Sequence, residues 1–218
     1  MKIFLDTADT ELIKKHFATG LVDGVTTNPT LIKKSGRDPE EVYQELIDAG
    51  IPDISMEVVG NFEEMVAEGR RLAEKFGSAA TIKVPCTSEG LLVCHDLAKN
   101  NIRVNVTLIF SAAQAILAAK AGAAYVSPFV GRVDDNSFDG VSLVAQITGV
   151  FREHVVRTQV LAASVRDVSS VSKCFGVGSD LVTMPPTVFE KMYNHILTEK
   201  GLDLFQQDWD SVNNSTKE

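Results

Sequence analysis

Cysteine is scarce in this 218-residue chain, and its three copies, Cys86, Cys94 and Cys174, form no CxxC pair. An odd number at these spacings favours neither a disulfide framework nor a zinc site, and it fits a reducing compartment. The four histidines are isolated, and none forms the HxH or HxxxH spacing that brings two metal ligands together. We therefore expect a cytoplasmic protein with no bound metal and no cofactor.

Basic residues are also outnumbered, since 21 Lys and Arg against 29 Asp and Glu give a net charge of −8. This balance opposes nucleic acid or an anionic membrane as the main partner. Long hydrophobic runs are missing, and the N-terminal MKIFLD reaches an acidic residue before any apolar signal region forms. A soluble globular protein is expected, and an anionic small-molecule ligand would need a locally basic pocket.

Glycine-rich phosphate-binding turns are missing as well, because no GxGxxG or Walker segment follows any predicted strand. Instead, short apolar or β-branched runs alternate with amphipathic segments such as 62–76, which is typical of helices. The eight predicted strands cover residues 3–6, 24–27, 54–58, 80–84, 102–107, 124–127, 159–163 and 181–184. Eight βα units predict a closed (β/α)8 TIM barrel, with a doubly wound open sheet as the alternative.

The predicted barrel is a single catalytic domain over residues 1–201, followed by a C-terminal helix and tail over 202–218. Leu202, Phe205 and Trp209 fall on one face of that helix. The face needs a partner, which is either the chain's own barrel or a neighbouring subunit.

Lys83 lies within the apolar, strand-like run AATIKVP, residues 79–85. At the end of a buried strand, the loss of water disfavours an ammonium group and favours the free amine, which is a nucleophile. The alternative is a half-exposed lysine whose ammonium group reaches water, and this is the commoner case among strand lysines. The residues around Lys83 are needed to distinguish a buried nucleophile from a half-exposed lysine.

Polar residues accumulate at the ends of the predicted strands, where a barrel builds its active site. Three pairs have members two residues apart, so an extended strand aims both side chains the same way. For a single strand-end Asn, Thr or Ser, a helix cap or turn is the commoner role. Together these residues predict a polar cup around Lys83: Asp6, Thr26, Asn28, Glu57, Asn105, Thr107, Ser127, Ser164 and Arg166.

Such a cup contains what imine chemistry requires, namely an amine, carboxylates that move protons, and amides and hydroxyls that orient a polyol. Asp6 and Glu57 are the proton-transfer candidates. The alternatives are a helix cap for Asp6 and a simple ion pair with Lys83 for Glu57. Because a direct pair would favour the ammonium form, we expect the contact between Glu57 and Lys83 to be indirect or bridged by water.

Arg132 and Arg166 are candidates for an electropositive end of the cup, since paired guanidinium groups suit a phosphate. Ser164 adds a hydroxyl donor near Arg166, so Arg166 is expected to be the firmer ligand. Arg132 lies beside two aspartates, and a local salt bridge is an equal alternative for it. A phosphorylated substrate is predicted.

Four segments carry a resemblance to a known family: FLDTA (4–8), GVTTNPT (24–30), IKVP (82–85) and VSPFVGR (126–132). The chain resembles the transaldolase family nearly end to end, and its length is similar to the small transaldolase and fructose-6-phosphate aldolase branch. The resemblance implies that Lys83 forms a Schiff base with a ketose phosphate, either sedoheptulose 7-phosphate or fructose 6-phosphate. A dihydroxyacetone unit then passes to glyceraldehyde 3-phosphate or erythrose 4-phosphate, in the pentose phosphate pathway.

The resemblance also implies roles for individual residues. Asp6 handles the hydroxyl proton of the donor during carbon–carbon cleavage, while Glu57 and Thr107 hold the water used in imine formation. The resemblance implies that Asn28 and Asn105 bind the three-carbon unit, with Thr26 and Ser127 as supporting polar residues. Those implied at the phosphate are Arg132, Ser164 and Arg166.

Two positions distinguish the two activities within the branch. Family members that act as aldolases have glutamine at position 57 and tyrosine at position 129, where this sequence has Glu57 and Phe129. Phe129 has no proton to donate, so the carbanion equivalent on Lys83 should wait for an acceptor aldehyde. Transfer is therefore expected, with a fructose-6-phosphate aldolase or a non-catalytic phosphosugar-binding barrel as alternatives. The branch also implies a homo-oligomer, a pentamer or decamer.

Overall fold

The computed structural model describes residues 1–215, with side chains described as far as Val212. Eight parallel strands close into a barrel in sequence order, and the last strand pairs with the first. The predicted (β/α)8 barrel is therefore confirmed, and the open sheet is excluded. The strands are β1 (Lys2–Asp6), β2 (Gly24–Thr26), β3 (Ile54–Glu57), β4 (Ala80–Pro85), β5 (Val104–Ile109), β6 (Tyr125–Pro128), β7 (Gln159–Ala162) and β8 (Leu181–Met184).

At least one helix follows every strand, and polar side chains begin most of these helices. Asp9 and Asn28 each accept a hydrogen bond from a backbone N–H of the first turn, and Asn61 forms a capping box with Glu64. The helices are α1 (Thr10–Phe17), α2 (Pro29–Ser35), α3 (Pro39–Asp48), α4 (Phe62–Phe76), α5 (Ser88–Lys99), α6 (Ala112–Ala121), α7 (Val130–Asp135), α8 (Gly140–Glu153), α9 (Val168–Gly176), α10 (Pro186–Lys191) and α11 (Ile196–Ser215).

Helix α11 begins before position 202, where the C-terminal segment was expected to start. Its apolar residues Leu202, Phe205 and Trp209 are 62%, 72% and 63% exposed in the single chain. The chain's own barrel therefore does not cover this face. Residues 216–218 of the expected tail lie outside the described residues. Between residues 1 and 215, no helix has the length and apolar character needed to cross a bilayer.

Side chains alternate along the strands between two environments. Residues such as Leu5, Val25 and Ile82 point outward and are fully buried against the helices. One side of the barrel interior is filled by a separate apolar cluster of Phe4, Tyr125, Leu161, Ala163 and Leu181. The rest of the interior is polar, and this is where the predicted cup lies.

A buried polar network lies at the N-terminal end of the barrel, around Asp53. One carboxylate oxygen accepts from Thr81 Oγ1 at 2.8 Å, and the other accepts from Tyr125 OH at 2.7 Å and Arg103 Nη1 at 2.8 Å. Because these groups satisfy one another, the barrel can hold them without water. The network fills the end opposite the cup, so side chains close the interior of the barrel there.

Candidate active site

Lys83 lies inside the barrel on β4 and is 5% exposed, which excludes the exposed-lysine alternative. The parallel register of β3 and β4 pairs Glu57 with Lys83, so the two side chains are neighbours in the interior. Lys83 Nζ lies 2.8 Å from Glu57 Oε2 and donates a hydrogen bond to the backbone carbonyl of Thr27 at 3.0 Å. The amine therefore has a defined position at the centre of the cup.

The prediction that Glu57 contacts Lys83 only indirectly was wrong. The strand register makes the two residues adjacent, and a direct pair offsets part of the cost of burying each charge. A lysine must lose a proton before it adds to a carbonyl group, and Glu57 is the nearest carboxylate to Nζ. The direct contact is thus compatible with nucleophilic chemistry, provided that Glu57 accepts this proton.

Asp6 ends β1 and accepts a hydrogen bond from Thr26 Oγ1 at 2.8 Å. Burial is the largest influence on this carboxyl group and raises its pKa, whereas the Thr26 hydrogen bond and the charge of Lys83 act in the opposite direction. Asp9 begins α1, so the helix-cap alternative for Asp6 is wrong. A buried carboxyl group with a raised pKa beside a lysine is suited to proton transfer.

Asn105 on β5 is held from two sides within the barrel. Its Nδ2 donates to Ser55 Oγ at 3.2 Å, and its Oδ1 accepts from Ser127 Oγ at 2.7 Å. The register of β4 and β5 pairs it with Lys83. Since Nδ2 carries two hydrogens and uses one, the amide can still donate to a ligand next to the lysine.

A cleft of about 360 Å³ opens at the C-terminal ends of the strands. Its lining residues are Asn28, Pro29, Thr30, Leu31, Glu57, Thr107, Leu108, Phe129 and Arg132. The buried Thr107 hydroxyl has no hydrogen-bond partner within the described part of the chain, although burying an unpaired polar group costs about 1–3 kcal/mol. Because Glu57 lines the same cleft, this pair is suited to holding a small polar group between them.

Asn28 combines two of the roles considered for it. Its Oδ1 caps α2 by accepting from Leu31 N at 3.0 Å, and the residue also lines the cleft. The cap fixes the direction of the amide plane, and only the Oδ1 atom is used. The Nδ2 atom is therefore available to a ligand.

The two arginines are arranged differently from the prediction. Arg166 is half-exposed and forms a bidentate ion pair with Asp135, with one contact of 2.6 Å. Arg132 has no ion pair within residues 1–215, and its guanidinium lies 4.9 Å from the centre of the Phe129 ring, at the edge of the cleft. The alternative of a local salt bridge for Arg132 is therefore wrong. The fold places Asp135, at the end of α7, against Arg166 instead.

Gly131 allows the start of α7 to approach the loop after β7. A Cβ atom on Gly131 would lie 2.3 Å from the carbonyl oxygen of Ser164 and 2.8 Å from Arg166 Nε, so a larger residue would clash. Ser164 has φ of 57°, a strained value for a residue other than glycine. Such strain is common at functional sites, and here it occurs at the corner where the start of α7, the helix that carries Arg132, approaches Ser164 and Arg166.

Two inward-facing residues were missed at the sequence level. Ser55 contacts Asn105, and Thr183 on β8 lies 2.7 Å from Thr26, between the two Oγ1 atoms. Ser55 lies two residues before Glu57 on β3, so the alternation that identified other pairs also indicated this one. No neighbouring polar residue on β8 indicated Thr183.

Comparisons with known proteins agree with this geometry. The transaldolase/fructose-6-phosphate aldolase family matches residues 3–217. A protein of Caulobacter vibrioides named "Probable transaldolase" is 49% identical over 216 residues, which cover 99% of each chain. A protein of Paracoccus denitrificans with the same name is 50% identical, and the match covers 96% of each chain. Another of that name, from Anaeromyxobacter dehalogenans, is 49% identical over the full length of both chains.

A solved structure with a much lower sequence identity shows the same fold. A mandelate oxidase variant has a TM-score of 0.62 and 16% sequence identity, and the match covers 85% of this chain and 65% of that one. This likeness supports the barrel architecture alone. The match along nearly the whole chain, together with full-length relatives at about half identity, shows that this chain belongs to the transaldolase/fructose-6-phosphate aldolase family.

Proposed function

We propose that this chain is a transaldolase that carries a dihydroxyacetone unit as a Schiff base on Lys83. The observation that carries the proposal is the buried Lys83 amine, in direct contact with Glu57 and surrounded by polar residues. The family match and the names of the relatives support the reaction class. The donors are sedoheptulose 7-phosphate and fructose 6-phosphate, and the acceptors are glyceraldehyde 3-phosphate and erythrose 4-phosphate.

Imine formation begins with a proton transfer from the Lys83 ammonium group to Glu57. The neutral amine adds to the ketone carbon of the donor and gives a carbinolamine. Glu57 returns the proton to the carbinolamine hydroxyl, which leaves as water, and a protonated imine remains on Lys83. Thr107, whose hydroxyl has no described protein partner, holds this water together with Glu57.

Carbon–carbon cleavage follows at Asp6. The carboxylate takes the proton of the donor hydroxyl, the adjacent carbon–carbon bond breaks, and its electron pair moves into the protonated imine to form an enamine. The aldose phosphate leaves as an aldehyde. An acceptor aldehyde then adds at the enamine carbon, and Asp6 returns its proton to the new alkoxide.

Binding groups surround the two ends of the donor. Asn28 and Asn105 have amide donors available for the hydroxyl groups of the three-carbon unit, with Thr26 and Ser127 supporting them. At the other end, a substrate phosphate binds in the corner of Arg132, Ser164 and Arg166. The Arg166–Asp135 pair is half-exposed and therefore weak enough for a phosphate to replace Asp135.

Borohydride trapping tests the covalent step. Fructose 6-phosphate with borohydride is expected to give a stable adduct of the three-carbon unit, and peptide mapping should locate it at Lys83. Unphosphorylated fructose should label much more slowly, because it lacks the group that the arginine corner binds. Donor turnover without an adduct at Lys83 would show that the mechanism is wrong, and tight binding without any carbon exchange would indicate a non-catalytic barrel.

Phe129→Tyr is expected to raise the release of free dihydroxyacetone relative to transfer. Phe129 lines the cleft and has no acidic hydrogen, whereas a tyrosine hydroxyl there can protonate the enamine carbon. The measurement compares product formation with and without an acceptor aldehyde. Phe110→Tyr is the matched control, since this ring packs against Phe129 at 5.9 Å without lining the same cleft. If the ratio of release to transfer is unchanged in Phe129→Tyr, the role proposed for this ring is wrong.

The enzyme is further proposed to act in the cytoplasm as a ring-shaped homo-oligomer, a pentamer or decamer. The apolar face of α11, formed by Leu202, Phe205 and Trp209, supports this because it is exposed in the single chain. Light scattering of the full chain and of a chain ending at Gly201 tests the assembly. A monomeric full-length chain would contradict it. The three thiols, none of them paired in a disulfide, are consistent with a reducing compartment.

A further inference from the structure

A line of two threonine hydroxyls leads from the last strand of the barrel to Asp6. Thr183 Oγ1 on β8 lies 2.7 Å from Thr26 Oγ1 on β2, and Thr26 Oγ1 lies 2.8 Å from Asp6 Oδ1. Both threonines are 2% exposed, so water does not compete for these contacts. The line exists because β1 pairs with both β2 and β8, which places Asp6 between them.

The direction of the hydrogen bonds follows from the chemistry of the groups. An ionised carboxylate can only accept, and a threonine hydroxyl has a single hydrogen. Thr26 therefore donates its hydrogen to Asp6. In the short contact between the two threonines, Thr183 must then be the donor and Thr26 the acceptor. Each bond polarises the next, so the donor on β8 strengthens the bond that Asp6 receives.

We propose that Thr183 is a positioning residue for the proton transfer at Asp6, acting through the hydroxyl of Thr26. The proposal rests on the proposed function, in which Asp6 exchanges a proton with the substrate. With Oδ1 occupied by the Thr26 donor, Oδ2 is the atom that takes and returns this proton. Thr183 thereby holds the carboxyl plane and favours the ionised form that begins the cleavage step.

The other influences on Asp6 are shared by every variant that tests the proposal. The charged groups that act on this carboxyl are Lys83 on β4, which favours ionisation, and Glu57 on β3, which opposes it. The strands β2 and β8 contribute the two uncharged hydroxyls. Because Thr183 contacts neither charged group in the described structure, a change there reaches Asp6 through Thr26.

Thr183→Val keeps the shape of the side chain and removes the donor. The acid limb of the kcat/KM profile for carbon transfer is expected to move up by roughly half a pH unit, which lowers kcat/KM about threefold at acidic pH. Thr183→Ser should restore the wild-type limb, because it keeps the hydroxyl. Thr158→Val is the matched control, since this buried threonine donates to the carbonyl of Ala123 at 2.8 Å, away from the site, and should leave the limb unchanged.

A double variant tests whether Thr183 acts through Thr26. Thr26→Val alone should move the acid limb further than Thr183→Val, and adding Thr183→Val to it should produce no additional shift. Additive shifts would show that Thr183 acts by another route and would overturn the proposal. An unchanged acid limb of the kcat/KM profile in a folded Thr183→Val protein would also overturn the proposal.

Carbon-13 NMR titration of the Asp6 carboxyl group gives a readout that does not depend on activity. Its signal is assigned by its loss in Asp6→Asn, and its pKa should be higher in Thr183→Val than in the wild type. An unchanged titration would overturn the proposal even if the enzyme were slower. A shifted titration in a protein that forms no adduct at Lys83 would support the contact between Thr183 and Asp6 and count against the proposed function.

Discussion

Lys83→Met is expected to lower carbon transfer by roughly 10⁴-fold or more and to abolish borohydride trapping. Methionine has a similar length but no amine, so the covalent route through an imine is lost. Lys83→Arg should be equally inactive, because a guanidinium keeps a positive charge near Glu57 but cannot form the imine. The measurement is the rate of dihydroxyacetone transfer from fructose 6-phosphate to erythrose 4-phosphate, followed by the release of glyceraldehyde 3-phosphate.

The two Lys83 variants should differ in stability even though both are inactive. In Lys83→Met, the Glu57 carboxylate loses the cation 2.8 Å away, and breaking a buried pair in this way costs about 3–5 kcal/mol. Adding Glu57→Gln should recover much of this loss in the free energy of unfolding, but no activity. Lys75→Met is the surface control, because this exposed lysine pairs with Glu40 far from the cup. Substantial transfer by Lys83→Arg would disprove the Schiff-base mechanism.

Asp6→Asn is expected to lower carbon transfer by roughly 10²- to 10⁴-fold, the usual contribution of a positioned acid or base. The amide oxygen can still accept from Thr26, so the structure around it should persist, but the side chain cannot take the substrate proton. Imine formation precedes this step and should survive, so substrate should still be trapped on Lys83. Asp9→Asn is the matched control, since asparagine caps a helix as well as aspartate does.

Asp6→Asn should also become more stable relative to the wild type as the pH rises. Burial raises the pKa of Asp6, so the folded state binds this proton more tightly than the unfolded state. The stability that Asp6 contributes is present below its ordinary pKa of 3.8 and is lost as the pH rises through the higher folded value. Denaturant unfolding of both proteins between about pH 4 and pH 8 measures this difference. A variant whose free energy of unfolding falls relative to that of the wild type as the pH rises would contradict the burial argument.

Much of the barrel follows from local patterns in the sequence. The eight apolar runs, the helical spacing of 62–76 and the helix caps at Asp9, Asn28 and Asn61 depend on neighbouring residues only. The same holds for the side-chain parity that predicted inward positions for Asn105 and Thr107, because alternation is a property of any extended strand. These features could therefore be predicted without knowing which strands pair.

The contacts inside the cup could not be predicted in this way. Whether Glu57 touches Lys83 directly depends on the register between two strands, and a shift of one residue would have turned Glu57 outward. The choice of Asp135 as the partner of Arg166, and not of its sequence neighbour Arg132, depends on how α7 meets the loop after β7 at Gly131. Both misjudged contacts involve charges whose partners are distant in sequence.

Local periodicity and composition account for the alternation of strands and helices, the polar strand ends and the presence of a lysine among apolar residues, so these features are visible in the sequence alone. The closure of the barrel and the strand register depend on contacts between distant segments, and these contacts set which polar groups lie within hydrogen-bond distance. Thr183 illustrates the division. It lies 157 positions from Thr26 along the chain, and only the pairing of the last strand with the first brings its hydroxyl to the line that ends at Asp6.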